Sequence, residues 1–153
     1  MPQGDGIIYQ DSFPVEGGNF ETAGQVSGRI KAILKNLNLP KEIIRRATLV
    51  AYESEINIVS YATRGEIKLI VKPEEVIVEA DDIGPGIEDI ELAMQAGYST
   101  ANEKIREMGF GAGMGLFNIN TYSDIFKISS EVGKGTHLHM VVKVNEKEPN
   151  EIN

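Results

Sequence analysis

Three groups of residues in this chain carry chemistry by type and spacing. Glu53 and Asn57 stand four apart in Glu53-Ser54-Glu55-Ile56-Asn57, so on a helix they share a face. A carboxylate in that place can take a proton from an attacking hydroxyl or water. An amide oxygen one turn along is a hard, neutral ligand of the kind Mg²⁺ accepts. The competing reading is two polar residues on a solvated surface, the commoner fate of polar side chains. Glu55, between them, is expected to point elsewhere on the helix, into solvent.

Asp82 leads into Gly84-Pro85-Gly86. An Asx turn closing a strand explains that run without any ligand. The functional alternative is an ionised carboxylate accepting a hydrogen bond from an exocyclic amine, a pattern that selects adenine. Gly109, Gly111, Gly113 and Gly115 alternate before Leu116. They read either as a hinge or as successive exposed N–H groups at a helix start that attract an anion. No G-K-[ST] follows, so this is not a Walker A loop, and no strand leads directly into it, so it is not a dinucleotide fingerprint. Lys104 and Arg106, in the polar stretch before these glycines, are candidates to reach a terminal phosphate, or are solvated loop charges. Lys134-Gly135-Thr136 reads as a plain turn when taken alone. His137 and His139 alternate and share a strand face, for which a structural role is favoured over a metal pair.

The elements that must hold these groups follow from periodicity. Ile7 to Val15 reads as a strand closed by Gly17-Gly18. Phe20 to Leu37 carries apolar residues at helical spacing, with Asn19 as its N-cap, and a second helix runs from about Pro40 to Ala62. Glu66–Lys72 and Glu75–Ala80 alternate on either side of Pro73-Glu74 and form a hairpin. A short helix is expected within Ile87–Gln95 and another over Gly113–Ser123. A final hairpin joins Asp124–Ser130 to Thr136–Val144 across Val132-Gly133-Lys134-Gly135. Residues 97–111 are polar and without a clear period, as functional loops often are. Helices segregated from hairpins predict an α+β two-layer sandwich, with a mixed, mostly antiparallel sheet covered on one face by helices.

Composition narrows the classes further. The 153 residues suit a single domain, here placed at 1–145 with a polar, disordered tail at 146–153. A formal charge of -8 argues against sequence-independent nucleic-acid binding and against docking on anionic membranes. The absence of cysteine excludes disulfides and thiolate metal sites. Met1–Gly6 has no basic region or long apolar run, so no signal peptide is expected, and the cytoplasm is the expected location.

Taken together, the motifs resemble the GHKL ATPases of the Bergerat fold, whose members include gyrase, the Hsp90 chaperone, histidine kinases and MutL. The resemblance implies ATP and Mg²⁺ as cofactors. Glu53 would be the general base and Asn57 the Mg²⁺ ligand. Asp82, with Gly84 and Gly86, would recognise adenine. Gly109, Gly111, Gly113 and Gly115 would contact phosphate within a hinged lid, and Thr136 after Gly135 would help hold the adenine edge. Gly97-Tyr98-Ser99-Thr100, Gly109-Phe110-Gly111-Ala112-Gly113 and the run Ser129–Thr136 are similar to the small serine/threonine kinases and anti-sigma factors of bacterial partner-switching modules. That similarity implies a protein kinase acting on a STAS-domain partner. The alternatives it leaves are a nucleotide-gated module that sequesters a sigma factor and a detached histidine-kinase-like domain. It also suggests a homodimer. Tyr61 stands before Ala62 where the family commonly carries a basic residue.

Overall fold

Alternating apolar residues build one sheet, and residues at helical spacing build the layer that covers it. The computed structural model describes residues 6–97 and 114–144. The strands are β1 (Tyr9–Glu16), β2 (Arg64–Lys72), β3 (Glu75–Ile83), β4 (Ile125–Glu131) and β5 (Gly135–Lys143). The helices are α1 (Gln25–Asn36), α2 (Lys41–Tyr61), the single-turn α3 (Ile90–Ala93) and α4 (Gly115–Tyr122), with a 3₁₀ turn at Phe20–Thr22. Sheet order is β1-β2-β3-β5-β4. This is the expected α+β sandwich, and all four pairings are antiparallel where a partly mixed sheet was expected.

One sheet face is buried. Ile67, Leu69 and Val71 of β2, Val76, Val78 and Ala80 of β3, and Leu138, Met140 and Val142 of β5 alternate onto it. Helix α2 lies across these strands through Ala47, Val50, Ala51 and Ile58, with α1 and α4 packed on its two flanks. Each of the larger of these, the Val, Leu, Ile and Met side chains, contributes about 1.5–3 kcal/mol relative to exposure. The opposite face carries cross-strand acid–histidine pairs set by the β3–β5 register. His137 Nδ1 lies 2.5 Å from Asp81 Oδ1, and His139 Nδ1 lies 2.6 Å from Glu79 Oε2. The structural role expected for the histidines fits this arrangement. Among the described residues no group of three His, Cys, Asp or Glu is placed to hold a metal ion, and no helix is long and apolar enough to cross a membrane.

Two expectations fail at the same place. The first long helix begins at Gln25 rather than near Phe20, and Asn19 makes no side-chain cap. The cap comes from the neighbouring helix. Glu55, expected in solvent, is buried, and its carboxylate accepts the backbone N–H groups of Gly24 (2.9 Å), Val26 (3.2 Å) and Ser27 (2.9 Å). The unpaired N–H groups and positive end of α1 lie against that flank of α2, and a carboxylate satisfies both.

Candidate functional site

Helix α2 and the end of β3 meet at Ala62. That residue ends α2 in an extended conformation, and the following Thr63 N–H donates to Ile83 O at 2.8 Å. Asp82 lies beside this junction, half-buried at the end of β3. Its Oδ1 accepts the Thr136 N–H from β5 at 3.1 Å. Burial pushes the Asp82 carboxyl above its ordinary value. The Thr136 N–H opposes that shift, and the neighbouring Asp81 charge adds to it. Gly135 permits the approach, because a Cβ there would overlap the Asp82 carbonyl oxygen.

The loop after Asp82 is laced to the β4–β5 turn. Gly84 N–H donates to Lys134 O at 3.0 Å, and Gly133 N–H donates to Pro85 O at 2.8 Å. Gly86 has φ 78°, and a Cβ there would stand 2.5 Å from Glu131 O. Ser130, across the strand pair from Thr136, completes the lacing. Its Oγ accepts the Ile87 N–H at 2.8 Å, donates to Gly135 O at 3.1 Å and meets Thr136 Oγ1 at 2.8 Å. With the single Ser130 proton on Gly135 O, the Thr136 hydroxyl donates to Ser130. The Thr136 lone pairs are then left for another donor. Ser130 was not singled out from the sequence, although its register opposite Thr136 follows once the last hairpin is placed.

Glu53 and Asn57 lie on the α4 side of α2, about 6 Å apart along its axis at 1.5 Å per residue. Both are half-buried, which excludes the fully solvated surface. Glu53 Oε2 accepts the Asn118 Nδ2–H of α4 at 3.1 Å. Burial raises the Glu53 carboxyl above its ordinary range, and the Asn118 amide pulls it back down. Gly115 opens α4 next to the same carboxylate, where a Cβ would lie 3.5 Å from Oε1. Arg46, two turns before Glu53, holds the other end of α4. It donates from Nε to Tyr122 O at 3.1 Å and from Nη2 to Asp124 Oδ2 at 3.0 Å.

Glu53 and Gly115 thus meet on the α4 flank of α2, with Asn57 one turn along, and Asp82, Gly84, Gly86 and Thr136 gather around the end of β3 near the C-terminal junction of α2. Gly109, Gly111, Gly113, Lys104 and Arg106 lie outside the described residues, as does the tail from residue 145. Asn118 and Glu55 were missed as partners because their bonds join residues far apart in the chain. The arrangement offers a half-buried carboxylate and an amide one turn apart on α2, and a second carboxylate, fixed by a backbone N–H, at the end of β3 beside the C-terminal junction of that helix.

Residues 42–146 match the family model described as histidine kinase-, DNA gyrase B-, and HSP90-like ATPase. An anti-sigma F factor of Thermoanaerobacter sp. (strain X514) is 32% identical over 118 residues, covering 77% of this chain and 75% of the relative. The serine/threonine-protein kinase RsbT of Bacillus subtilis (strain 168) is 32% identical over 102 residues, covering 65% of this chain and 64% of the relative. Among solved structures, the fold is similar to a chain of the SiaB–SiaC complex from Pseudomonas aeruginosa. The TM-score is 0.59, with 15% identity and 90% of each chain covered. The match spans both carboxylates and the lacing between the β3 loop and the last hairpin, and the chain belongs to the family of histidine kinase-, DNA gyrase B- and HSP90-like ATPases.

Proposed function

We propose that this protein is an ATP- and Mg²⁺-dependent serine/threonine kinase that phosphorylates a small STAS-domain protein in a partner-switching module. The observation that carries the reading is the order of groups along α2. Asp82 sits at the C-terminal junction, Asn57 lies between, and Glu53 stands about 13 Å back from Ala62 along the axis. Adenine at Asp82, the phosphate chain near Asn57, which would hold Mg²⁺, and the transferred phosphoryl group near Glu53 fit that order. The residues suit the ligand. Asp82 is a fixed carboxylate acceptor for an exocyclic amine, and the Thr136 hydroxyl flanks it. Asn57 is a half-buried amide that no described residue engages. Gly109, Gly111, Gly113 and Gly115, with Lys104 or Arg106, are proposed to contact the phosphates. When bound, Mg²⁺ supplies charge neutralisation on the phosphate oxygens.

In the proposed reaction Glu53 takes the proton of the partner's hydroxyl as that oxygen bonds to the γ-phosphorus. The bond from that phosphorus to the bridging oxygen breaks, and ADP leaves with the electron pair. Glu53 has the right character for this step, being partly desolvated and held by Asn118. The remaining advantage comes from positioning and electrostatics. The relative named as a serine/threonine-protein kinase supports the reaction class.

The test is transfer from γ-labelled ATP with Mg²⁺ to each STAS-domain protein of the same genome, with Glu53→Ala as the control. The expected result is label on a serine or threonine, lost in the variant, with binding of a fluorescent ATP analogue retained. Normal transfer by Glu53→Ala refutes the base role.

A second reading is a nucleotide-gated anti-sigma factor, favoured by the relatives that bear that name. It requires reciprocal coupling, in which a sigma factor shifts nucleotide affinity by the same factor that nucleotide shifts sigma affinity. Failure to capture a sigma subunit with either ADP or ATP present counts against it. A homodimer is proposed with either reading, and sedimentation of the purified chain tests it.

A further inference from the structure

Helix α4 places one side chain on the reactive carboxylate, and that side chain belongs to none of the motifs. Asn118 lies one turn after Gly115 and donates from Nδ2 to Glu53 Oε2 at 3.1 Å. Both residues are half-buried. Of the two Glu53 oxygens, Oε2 is therefore engaged, and Oε1 lies beside Gly115 at the start of α4, where a Cβ would be in ordinary contact with it at 3.5 Å. A half-buried carboxylate without a donor would be free to rotate among staggered conformers and would favour its protonated form. Neither suits a group that must accept a proton from a hydroxyl delivered by a second protein.

Among the described residues the bond has little competition. Helix α4 carries no Asp, Glu, Lys, Arg or His. On α2, Glu55 is turned to the backbone of α1, and Arg46 is engaged by Tyr122 O and Asp124. Glu42 and Arg45 pair with one another near the exposed start of α2. Among the described residues, burial raises the Glu53 proton affinity and the Asn118 amide lowers it. Helix α4 is itself firmly seated. Leu116 and Ile119 are buried in the core, and Arg46 clamps its C-terminal end, so the Asn118 amide is presented from a fixed platform.

We propose that Asn118 is a positioning residue for phosphoryl transfer. Its amide holds one oxygen of Glu53 and fixes the side chain, leaving the oxygen beside Gly115 as the proton acceptor. The proposal rests on the kinase reading, in which Glu53 is the base. It assigns Asn118 no contact with nucleotide or metal.

The experiment compares Asn118→Leu, of similar volume without a donor, with the parent chain, and uses Asn118→Ala as a second variant in case the first packs poorly. The Glu53 carboxyl is titrated directly by carbon-detected NMR in the nucleotide-free protein. The pH profile of transfer from labelled ATP to the STAS acceptor is then measured at saturating Mg²⁺-ATP. The expected result has three parts. The Glu53 titration moves up, the acid limb of the transfer profile moves up with it, and the rate at pH 7 falls about 10- to 100-fold. Affinity for a fluorescent ATP analogue stays within about twofold, as expected where binding is not the function removed.

An unchanged Glu53 titration in both variants overturns the proposal. So does a normal transfer rate and pH profile in both variants when Glu53→Gln is inactive. If Glu53→Gln itself transfers normally, the base reading has failed and the proposal goes with it. The titration result then still reports whether the hydrogen bond forms in solution, which separates the two failures.

Discussion

The carboxylate of Glu55, on α2, accepts the backbone N–H of Ser27, on α1, at 2.9 Å, and the same side chain takes the N–H groups of Gly24 and Val26. An acid two residues from the proposed base thus serves as the cap of a different helix. Removing it leaves three N–H groups and a helix terminus unpartnered in a buried setting. Glu55→Ala is expected to lower stability by about 2–4 kcal/mol, and Glu55→Gln, which keeps one acceptor oxygen, by less. Urea denaturation measures both. A loss no larger than that of Glu21→Ala, an exposed acid nearby, means that the cap contributes nothing.

Asp82 is held by backbone rather than by charge, so its amide counterpart can keep the local structure. Asp82→Asn preserves an oxygen for the Thr136 N–H and is expected to fold normally. It exchanges the carboxylate for a mixed donor–acceptor, and nucleotide affinity is expected to drop about 10- to 100-fold. Isothermal titration with Mg²⁺-ATP reads this. Retained affinity removes Asp82 from adenine recognition.

The raised Asp82 carboxyl carries a pH signature as well. Its folded value lies above the ordinary 3.8, so the folded state binds more protons than the unfolded chain across that window. The Asp82 contribution to stability is therefore fully present below pH 3.8 and is lost as pH rises through the folded value. Relative to the parent chain, Asp82→Asn is expected to gain stability at neutral pH and to show no such gain at pH 3. Thermal melts at the two pH values test the sign. A gain of equal size at both traces the effect to packing instead.

Two glycines in the β3 loop and the last turn separate strain from collision. Gly133 has φ 83° with open space around it, whereas Gly86 combines φ 78° with a Cβ position 2.5 Å from Glu131 O. Gly133→Ala is expected to cost about 1 kcal/mol, from backbone conformation alone. Gly86→Ala is expected to cost about 2–4 kcal/mol, because backbone must also move, and to weaken nucleotide binding. Equal losses show that the close approach to Glu131 relaxes freely.

Ser130 is expected to act as a tie. Ser130→Ala strands the Ile87 N–H and removes a partner of Thr136. Stability is expected to fall by about 1–2 kcal/mol, and the Ile87 amide to exchange faster with solvent, as followed by NMR. Unchanged exchange at Ile87 shows that water replaces the hydroxyl at no cost.

Periodicity was sufficient for the strands and long helices because one sheet face and one side of α2 are buried throughout. Their ends were harder. β3 runs on to Ile83 through Asp81 and Asp82, and two consecutive acids conceal a strand that continues because β2 pairs with it to its end, β5 leaving it after Asp81. The start of α1 was misplaced because its cap is supplied from 28 to 31 residues away, and local capping signals at Asn19 give no hint of that. Glu53, Asn57, Asp82 and Thr136 could be named as candidates because family motifs single out their positions. Asn118 and Ser130 were not. Their value lies in cross-element geometry: one reaches a residue 65 positions away, and the other closes a hydrogen-bond set that exists only after the hairpin and the β3 loop come together.

The two halves of the site are fastened by different materials. Around Asp82, the connections of Gly84, Gly133 and Thr63 are made between main-chain atoms of neighbouring segments. Around Glu53, α4 is tied to α2 through the tips of Asn118 and Arg46. Main-chain ties tolerate changes of side chain except where glycine admits the close approach, as at Gly86 and Gly135, whereas the ties of Asn118 and Arg46 are rewritten by single substitutions. Under the proposed function, single substitutions on α4 therefore retune the Glu53 end while the backbone frame around Asp82 is inherited unchanged.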